Sequence, residues 1–185
     1  MSKQHEALFY DSEEEYYEIV IPFIKSGLVN NEFVFWSLPE FIRVEDAKTC
    51  LHIFLENLVY FINREQILIQ DYKATYMRNG TFSLMEMTVS WKELEKRALE
   101  KGFNGVYAIG DGSWALKDHW ADFLLYESEV NRVIENHKMK TICTYFKKDI
   151  EVSKILDVGK NHQNTIVKQQ GAWNRLAPEC FHPQI

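Results

Sequence analysis

The sequence predicts an α/β fold with three layers: a mostly parallel central sheet of at least five strands, covered by helices on both faces. Three observations carry this expectation. Five short apolar runs recur along the chain, at residues Ala7–Tyr10, Phe33–Leu38, Ile67–Gln70, Val106–Ile109 and Thr141–Tyr145. They are rich in β-branched and aromatic side chains, which suit a pleated, half-buried backbone. They are mostly apolar on successive residues rather than alternately, as strands covered on both faces are. Longer amphipathic stretches separate them, and a strand–helix alternation of this kind gives right-handed crossovers with helices on both faces of the sheet.

The elements follow in order. Ser12 with Glu15 three residues on forms a capping box, and Glu13 and Glu14 suit the positive end of a helix dipole. Tyr16, Val20, Phe23 and Ile24 share one face of that helix; Pro22 bends it and Gly27 is placed to end it. A second helix runs from about Val44 to Leu58, with an open end, because 59–62 either continue it or turn away. A third covers about Leu84 to Lys101 and closes at Gly102, a fourth about Ala121 to Asn136, and a fifth about Val152 to Gln170, closing at Gly171. No periodicity marks the tail from Ala172 to Ile185; Trp173, Leu176 and Phe181 pack it on the body or against another subunit. Residues 1–170 and the tail 171–185 are read together as one domain.

Composition narrows the function classes. The 185 residues are 46% hydrophobic and 14% aromatic, with 26% charged side chains and a formal charge of −6. That length buries a proper core. An acidic balance argues against nucleic acid, which calls for a basic face. No stretch approaches the roughly 20 apolar residues of a membrane helix. The N-terminus has no apolar core of a signal peptide. Cys50, Cys143 and Cys180 are three, far apart and without a C-x-x-C pair. This is not a disulfide framework, and a reducing cytoplasm is the expected compartment.

In open parallel sheets, ligands bind beyond the carboxyl ends of the strands. Those exits are Tyr10-Asp11, Ser37-Leu38-Pro39, Asp71-Tyr72, Gly110 to Trp114, and Tyr145-Phe146. They are rich in aromatics and carboxylates and poor in the glycine loops and lysines that hold phosphate. Gly110 and Gly112 flank Asp111, with Trp114 following as an apolar wall. Asp111 either faces a ligand there or caps a tight turn. The pattern G-x-x-x-x-G-K-[ST] is absent; its nearest spacing, Gly105 to Gly110, continues with Asp111 where lysine is needed. Ordinary ATP hydrolysis is not expected, and no cofactor is called for.

Other polar residues carry two readings each. Glu127, among Leu124, Leu125 and Tyr126, is either partly buried or on a solvated face with Glu129. Cys143 in the last run reads as a small core residue. His5 precedes the first run and is expected at the amino end of the sheet, fixing the start of the strand with a hydrogen bond. None of the six histidines forms H-x-x-x-H or H-E-x-x-H, and Cys180 with His182 alone is a weak metal signal. Spacing therefore assigns no metal ligands and no catalytic set.

Several segments together resemble one family. His5-Glu6-Ala7-Leu8-Phe9-Tyr10, an acidic helix start and Pro22-Phe23-Ile24-x-x-Gly27-Leu28 resemble the opening of the MEDS domain, the methanogen and methylotroph sensory domain of the dichloromethane-regulator type. The resemblance continues through Tyr76-x-x-x-Gly80-x-Phe82, Gly102-Phe103-x-Gly105, Gly110-Asp111-x-x-Trp114-Ala115, Tyr126-Glu127-x-x-x-Asn131, Cys143-x-Tyr145 and His162. It implies a RecA-like/Rossmann-like fold without a phosphate loop and a sensory role in prokaryotic signalling, with hydrocarbon derivatives as ligands. Family members often carry the domain beside a DNA-binding or kinase module. Nothing beyond residues 5–165 offers one here, so signalling is expected to pass through a partner or a homo-oligomer.

The leading expectation is a small-molecule sensor that binds a one-carbon or hydrocarbon-derived ligand without turnover, through Tyr10, Asp11, Tyr76, Asp111, Trp114, Glu127 and Tyr145. His5, Cys143 and His162 stand beside them as structural or site residues. Two alternatives remain open. One is a non-catalytic interaction module built on an ATPase-like body; the other is an enzyme using Asp111, Glu127 or His162 as acid or base.

Overall fold

The structure is a computed structural model, and it describes residues 4–182. Seven strands form one sheet in the order β3-β2-β4-β5-β1-β6-β7. Their ranges are β1 Gln4–Tyr10, β2 Phe33–Leu38, β3 Ile67–Asp71, β4 Val106–Asp111, β5 Met139–Phe146, β6 Asn164–Gln169 and β7 Ala172–Leu176. The first six run parallel, and β7 returns antiparallel to β6. The central strands β1, β2 and β4 are buried almost throughout, as their unbroken apolar runs require.

The helices are α1 Glu13–Val29, α2 Val44–Phe54, α3 Leu58–Asn63, α4 Tyr72–Tyr76, α5 Leu84–Glu100, α6 Trp120–Asn136 and α7 Val152–Asn161. Each strand sends alternate side chains to opposite faces. On one face Leu8, Tyr10, Val34, Trp36, Tyr107 and Ile109 form a core with Tyr16, Ile24, Leu51 and Leu58 of α1, α2 and α3. On the other, Ala7, Phe9, Phe35, Ala108, Cys143 and Tyr145 pack with Trp91, Phe123, Tyr126 and Val158 of α5, α6 and α7. This is the three-layer α/β arrangement.

Capping chemistry sets the start of α1. The Ser12 hydroxyl accepts from the Glu15 amide at 3.2 Å. The Glu15 carboxylate turns one residue further back than a capping box requires and accepts from the Asp11 amide at 2.8 Å. Gly27 does not end α1, which continues to Val29; Asn31, at φ 57°, takes the left-handed turn instead. A Cβ on Gly27 would lie 2.9 Å from the Tyr107 ring and 3.0 Å from Val34, so this glycine lets α1 approach the sheet.

Two sequence expectations need correction. The second helix breaks at Leu55, in extended conformation, and α3 resumes at Leu58. The fifth helix does not reach Gln170: α7 ends at Asn161, His162 is extended, and β6 follows. Gly171 closes no helix. Gln170 at φ 50° and Gly171 at φ 80° form the two left-handed positions of a tight hairpin between β6 and β7. Part of the tail is therefore a strand, and Phe181 folds back onto α7, where a Cβ on Gly159 would meet its ring at 2.1 Å.

Candidate functional site

Five strand exits converge on one cleft of about 780 Å³ at the carboxyl edge of the sheet. Asp11, Ser12 and Glu13 come from the end of β1, and Pro39, Glu40 and Phe41 from the end of β2. Tyr72 opens α4 and Met77 follows its end. Asp111 ends β4; Ser113, Trp114 and Leu116 lie in the 3-10 turn that follows, and His119 caps α6. Phe146 and Lys148 complete the wall beyond β5. Ser113 is anchored by the Phe146 amide, which donates to its Oγ at 3.0 Å.

Aromatic faces dominate the walls. Trp114 stacks on Tyr76 at 5.1 Å and meets Phe82 at 5.2 Å and Phe123, edge-on, at 5.5 Å. Acids outnumber bases: Asp11, Glu13, Glu40, Asp111 and Asp118 face Lys117 and Lys148. One cation beside the cleft, Lys147, is already paired with Asp11 at 2.5 Å. Such a field repels a triphosphate rather than cradling it.

Asp111 is the unusual group: a carboxyl only 1% exposed at the end of a central strand. Burial pushes its pKa up to about 7; the hydroxyls of Ser113 and Thr144 and the amides of Ser113 and Trp114 lie near enough to offset only part of that. Near neutral pH it is therefore divided between acid and carboxylate. The glycines on either side let aromatic side chains approach the strand on its other face. A Cβ on Gly110 would lie 2.4 Å from the Tyr76 hydroxyl, and one on Gly112 would lie 2.4 Å from the Tyr145 ring.

Of the residues singled out in the sequence, Asp11, Asp111 and Trp114 line this cleft. Tyr10 lies one layer beneath, against Tyr16 and Phe146 at 5.1 and 5.5 Å. Tyr76 backs Trp114, and Tyr145 sits below Gly112. Phe41, Met77 and His119 were not foreseen; they lie past the strand ends, in segments whose direction only the folded chain sets.

Glu127, His5, Cys143 and His162 form a second group, walled off beneath α6. All four are buried, at 0–6% exposure. Glu127 Oε2 lies 3.2 Å from His5 Nε2 and 3.1 Å from His162 Nε2. Cys143 Sγ is 3.3 Å from His5 Nε2, and the two imidazoles lie 4.1 Å apart between ring centroids. Burial, then the neighbouring His162, lowers the pKa of His5 against the pull of Glu127 and Asn131. Burial and the adjacent Glu127 push the Cys143 thiol well up. His5 was expected to fix the start of the strand, and its backbone does so, exchanging contacts with Gln163 at 2.9 and 3.2 Å. Its side chain does something else. Asp111 belongs to the cleft and Glu127 with His162 to the buried group, so the three do not line one cavity among the described residues.

The MEDS family model, described as the methanogen/methylotroph, DcmR sensory domain, matches residues 4–163. The chain belongs to the MEDS family. Among solved structures, this MEDS chain is similar to an uncharacterized protein, PH0321, from Pyrococcus horikoshii, crystallised in complex with an unknown peptide. The TM-score is 0.63 at 11% identity, over 97% of this chain and 86% of that one. It is also similar to the flagellar accessory protein FlaH from Methanocaldococcus jannaschii, with TM-score 0.56 at 13% identity over 95% of this chain and 76% of that one. At such identity these likenesses speak for the fold alone, which is RecA-like. No curated protein matches the MEDS chain in sequence. No helix among the described residues is long and apolar enough to cross a membrane.

Proposed function

We propose that this MEDS chain is a sensory domain that binds a small, uncharged or weakly basic organic molecule in the carboxyl-edge cleft, without turnover. The observation that carries this reading is an aromatic cleft with a buried carboxyl, Asp111, at its floor, held well above the usual carboxylate range by burial. A ligand that donates a hydrogen bond to this carboxyl stabilises the charged form that burial disfavours. The aromatic walls supply apolar contact, and a few fixed polar groups supply orientation, the usual division of labour in a small-molecule site.

Size narrows the ligand. A cleft of about 780 Å³ falls within the roughly 300–1,000 Å³ range of sites that hold drug-sized molecules. A one-carbon compound fills too little of it to be held without closure of the walls. The favoured ligand is a larger hydrocarbon derivative carrying one donor group. Sensing further requires that the ligand prefer one of two conformations. The Ser113–Leu116 turn, tied to β5 through Ser113, is the element best placed to differ between them.

Thermal shift against a panel graded from one-carbon compounds to aromatic amines and alcohols tests the reading. A true ligand at 100 times its Kd stabilises by about 2.7 kcal/mol, a rise in Tm of roughly 5–10 °C for a chain this size. The shift should vanish in Trp114→Ala. A flat response across the panel at millimolar concentration, with ATP and magnesium instead raising Tm, contradicts the reading.

A further inference from the structure

We propose that His5, Glu127, Cys143 and His162 form a buried site for one divalent transition-metal ion, best matched by zinc. The case is independent of the cleft. One ligand atom from each side chain lies within 4.8 Å of the other three. In a tetrahedral zinc site with Zn–N and Zn–O near 2.0 Å and Zn–S near 2.3 Å, neighbouring ligand atoms stand about 3.3–3.6 Å apart. The closest contacts here, 3.1, 3.2 and 3.3 Å, reach that spacing with an opening of a few tenths of an ångström.

Hydrogen bonding around the group decides what its centre needs. His162 Nδ1 lies 2.7 Å from the Val158 carbonyl, which can only accept, so Nδ1 carries the proton. Asn131 Nδ2 donates to the Asn161 carbonyl at 2.6 Å, and this turns Asn131 Oδ1 toward His5 Nδ1, at 2.8 Å. His5 Nδ1 is then a donor as well. In the neutral tautomers both Nε2 atoms are bare lone pairs, and both point at the same carboxylate oxygen of Glu127. Three acceptors thus meet in a buried site, where the neighbouring donors are the Cys143 thiol, 3.3 Å from His5 Nε2, and the Tyr145 hydroxyl beside Glu127. Neither Glu127 oxygen, nor His162 Nε2, has a well-directed hydrogen bond. A proton on His162 Nε2 pairs it with Glu127 and leaves His5 Nε2 to the Cys143 thiol, an arrangement that uses the bare lone pairs only in part. A cation satisfies all of them, and orienting outer-shell carbonyls of this type accompany histidine ligands in metal sites.

The donor set names the metal class. Two imidazoles, one carboxylate and one thiolate are a borderline set that suits zinc and excludes magnesium and calcium, which take oxygen ligands. A dication with one carboxylate and one thiolate is formally neutral, the state that burial tolerates best. Binding deprotonates the Cys143 thiol, and the proton leaves to solvent. With four protein ligands no coordination position remains open, so the ion is structural. It ties β1, at the start of the chain, to α6, β5 and the segment after α7.

The test uses the full chain, stripped with chelator and reloaded with zinc or cobalt(II). One ion per chain is expected, with the intense visible bands of four-coordinate cobalt and a near-ultraviolet thiolate-to-cobalt charge-transfer band. Cys143→Ser should abolish the charge-transfer band, whereas Cys180→Ser, at an exposed cysteine outside the group, should preserve it. Asn131→Ala should weaken zinc about tenfold or more by freeing His5. Should the ligand variants fail to fold, X-ray absorption on zinc-loaded wild type still decides: one sulfur at about 2.3 Å with three nitrogen or oxygen neighbours at about 2.0 Å supports the site. Failure of the wild type to retain zinc or cobalt, a sulfur-free coordination shell, or a charge-transfer band that follows Cys180 overturns it.

Discussion

Asp111 shows how one residue can shape the chemistry of the carboxyl edge. Its carboxyl has a pKa near 7 when folded against 3.8 for the free group, and burial is the chief cause. For an acid whose folded pKa is raised, the folded chain keeps a proton that the unfolded chain has already released between those two values. Stability therefore falls as pH climbs from about 4 to about 7, and the loss is complete above that window. The rise from 3.8 to about 7 sets an upper bound of about 4 kcal/mol on the effect. Asp111→Asn should match wild type near pH 4 and exceed it by about 1–3 kcal/mol at pH 8. Urea denaturation at both pH values measures this; parallel pH profiles for the two proteins contradict the burial account. A residue that weakens its own fold in this way is readily understood if it serves binding. The sequence showed where Asp111 stands, because two glycines after an apolar run mark a strand exit. It did not show that the carboxyl is buried, since the groups that meet it, Ser113, Trp114 and Thr144, come partly from the turn after β4 and partly from β5.

At the scale of elements, the strands were legible where apolar residues ran unbroken, as in Phe33–Leu38 and Val106–Ile109. The end of the chain was not. Val152, Ile155 and Val158 carry a helical period, and extending it to Gly171 absorbed the β-branched run Thr165-Ile166-Val167 into a helix. The hairpin turn at Gln170-Gly171 was the signal available, since Gly ends a tight turn as readily as a helix. Folding the tail back brings Phe181, 7% exposed, onto the Cα of Gly159. The Cβ of alanine at 159 would fall 2.1–2.5 Å from the base of that ring. Phe181→Ala should cost about 3 kcal/mol. Gly159→Ala alone should cost a comparable amount by expelling the ring. In the Phe181→Ala background the same change should become neutral or stabilising by up to about 1 kcal/mol, because only helix propensity remains. A double-mutant cycle by denaturant melts reads this, and simple additivity would show that the tail does not rest on α7.

The whole molecule is a RecA-like sheet, and the cleft and the buried group differ in how they can be read from sequence. The cleft follows from topology: parallel strands place their exits along one edge, so Asp11, Asp111 and Trp114 could be located from the strand pattern alone. The buried group follows from nothing local. His5, Glu127, Cys143 and His162 lie on four elements and converge only because β1 sits beside β5 and β6, with α6 and α7 laid across them. Cys143 and His162 read as ordinary core and helix residues until that order is known. For the cleft, the most direct measurement is fluorine NMR of the chain labelled with 5-fluorotryptophan, titrated with the most stabilising compound of the panel. Trp114 lines the cleft, whereas Trp173 lies on β7 at the far edge of the sheet. The Trp114 resonance, assigned through Trp114→Phe, should shift in proportion to occupancy while that of Trp173 stays in place. A Trp114 signal that does not move at saturating ligand would contradict binding at the carboxyl edge.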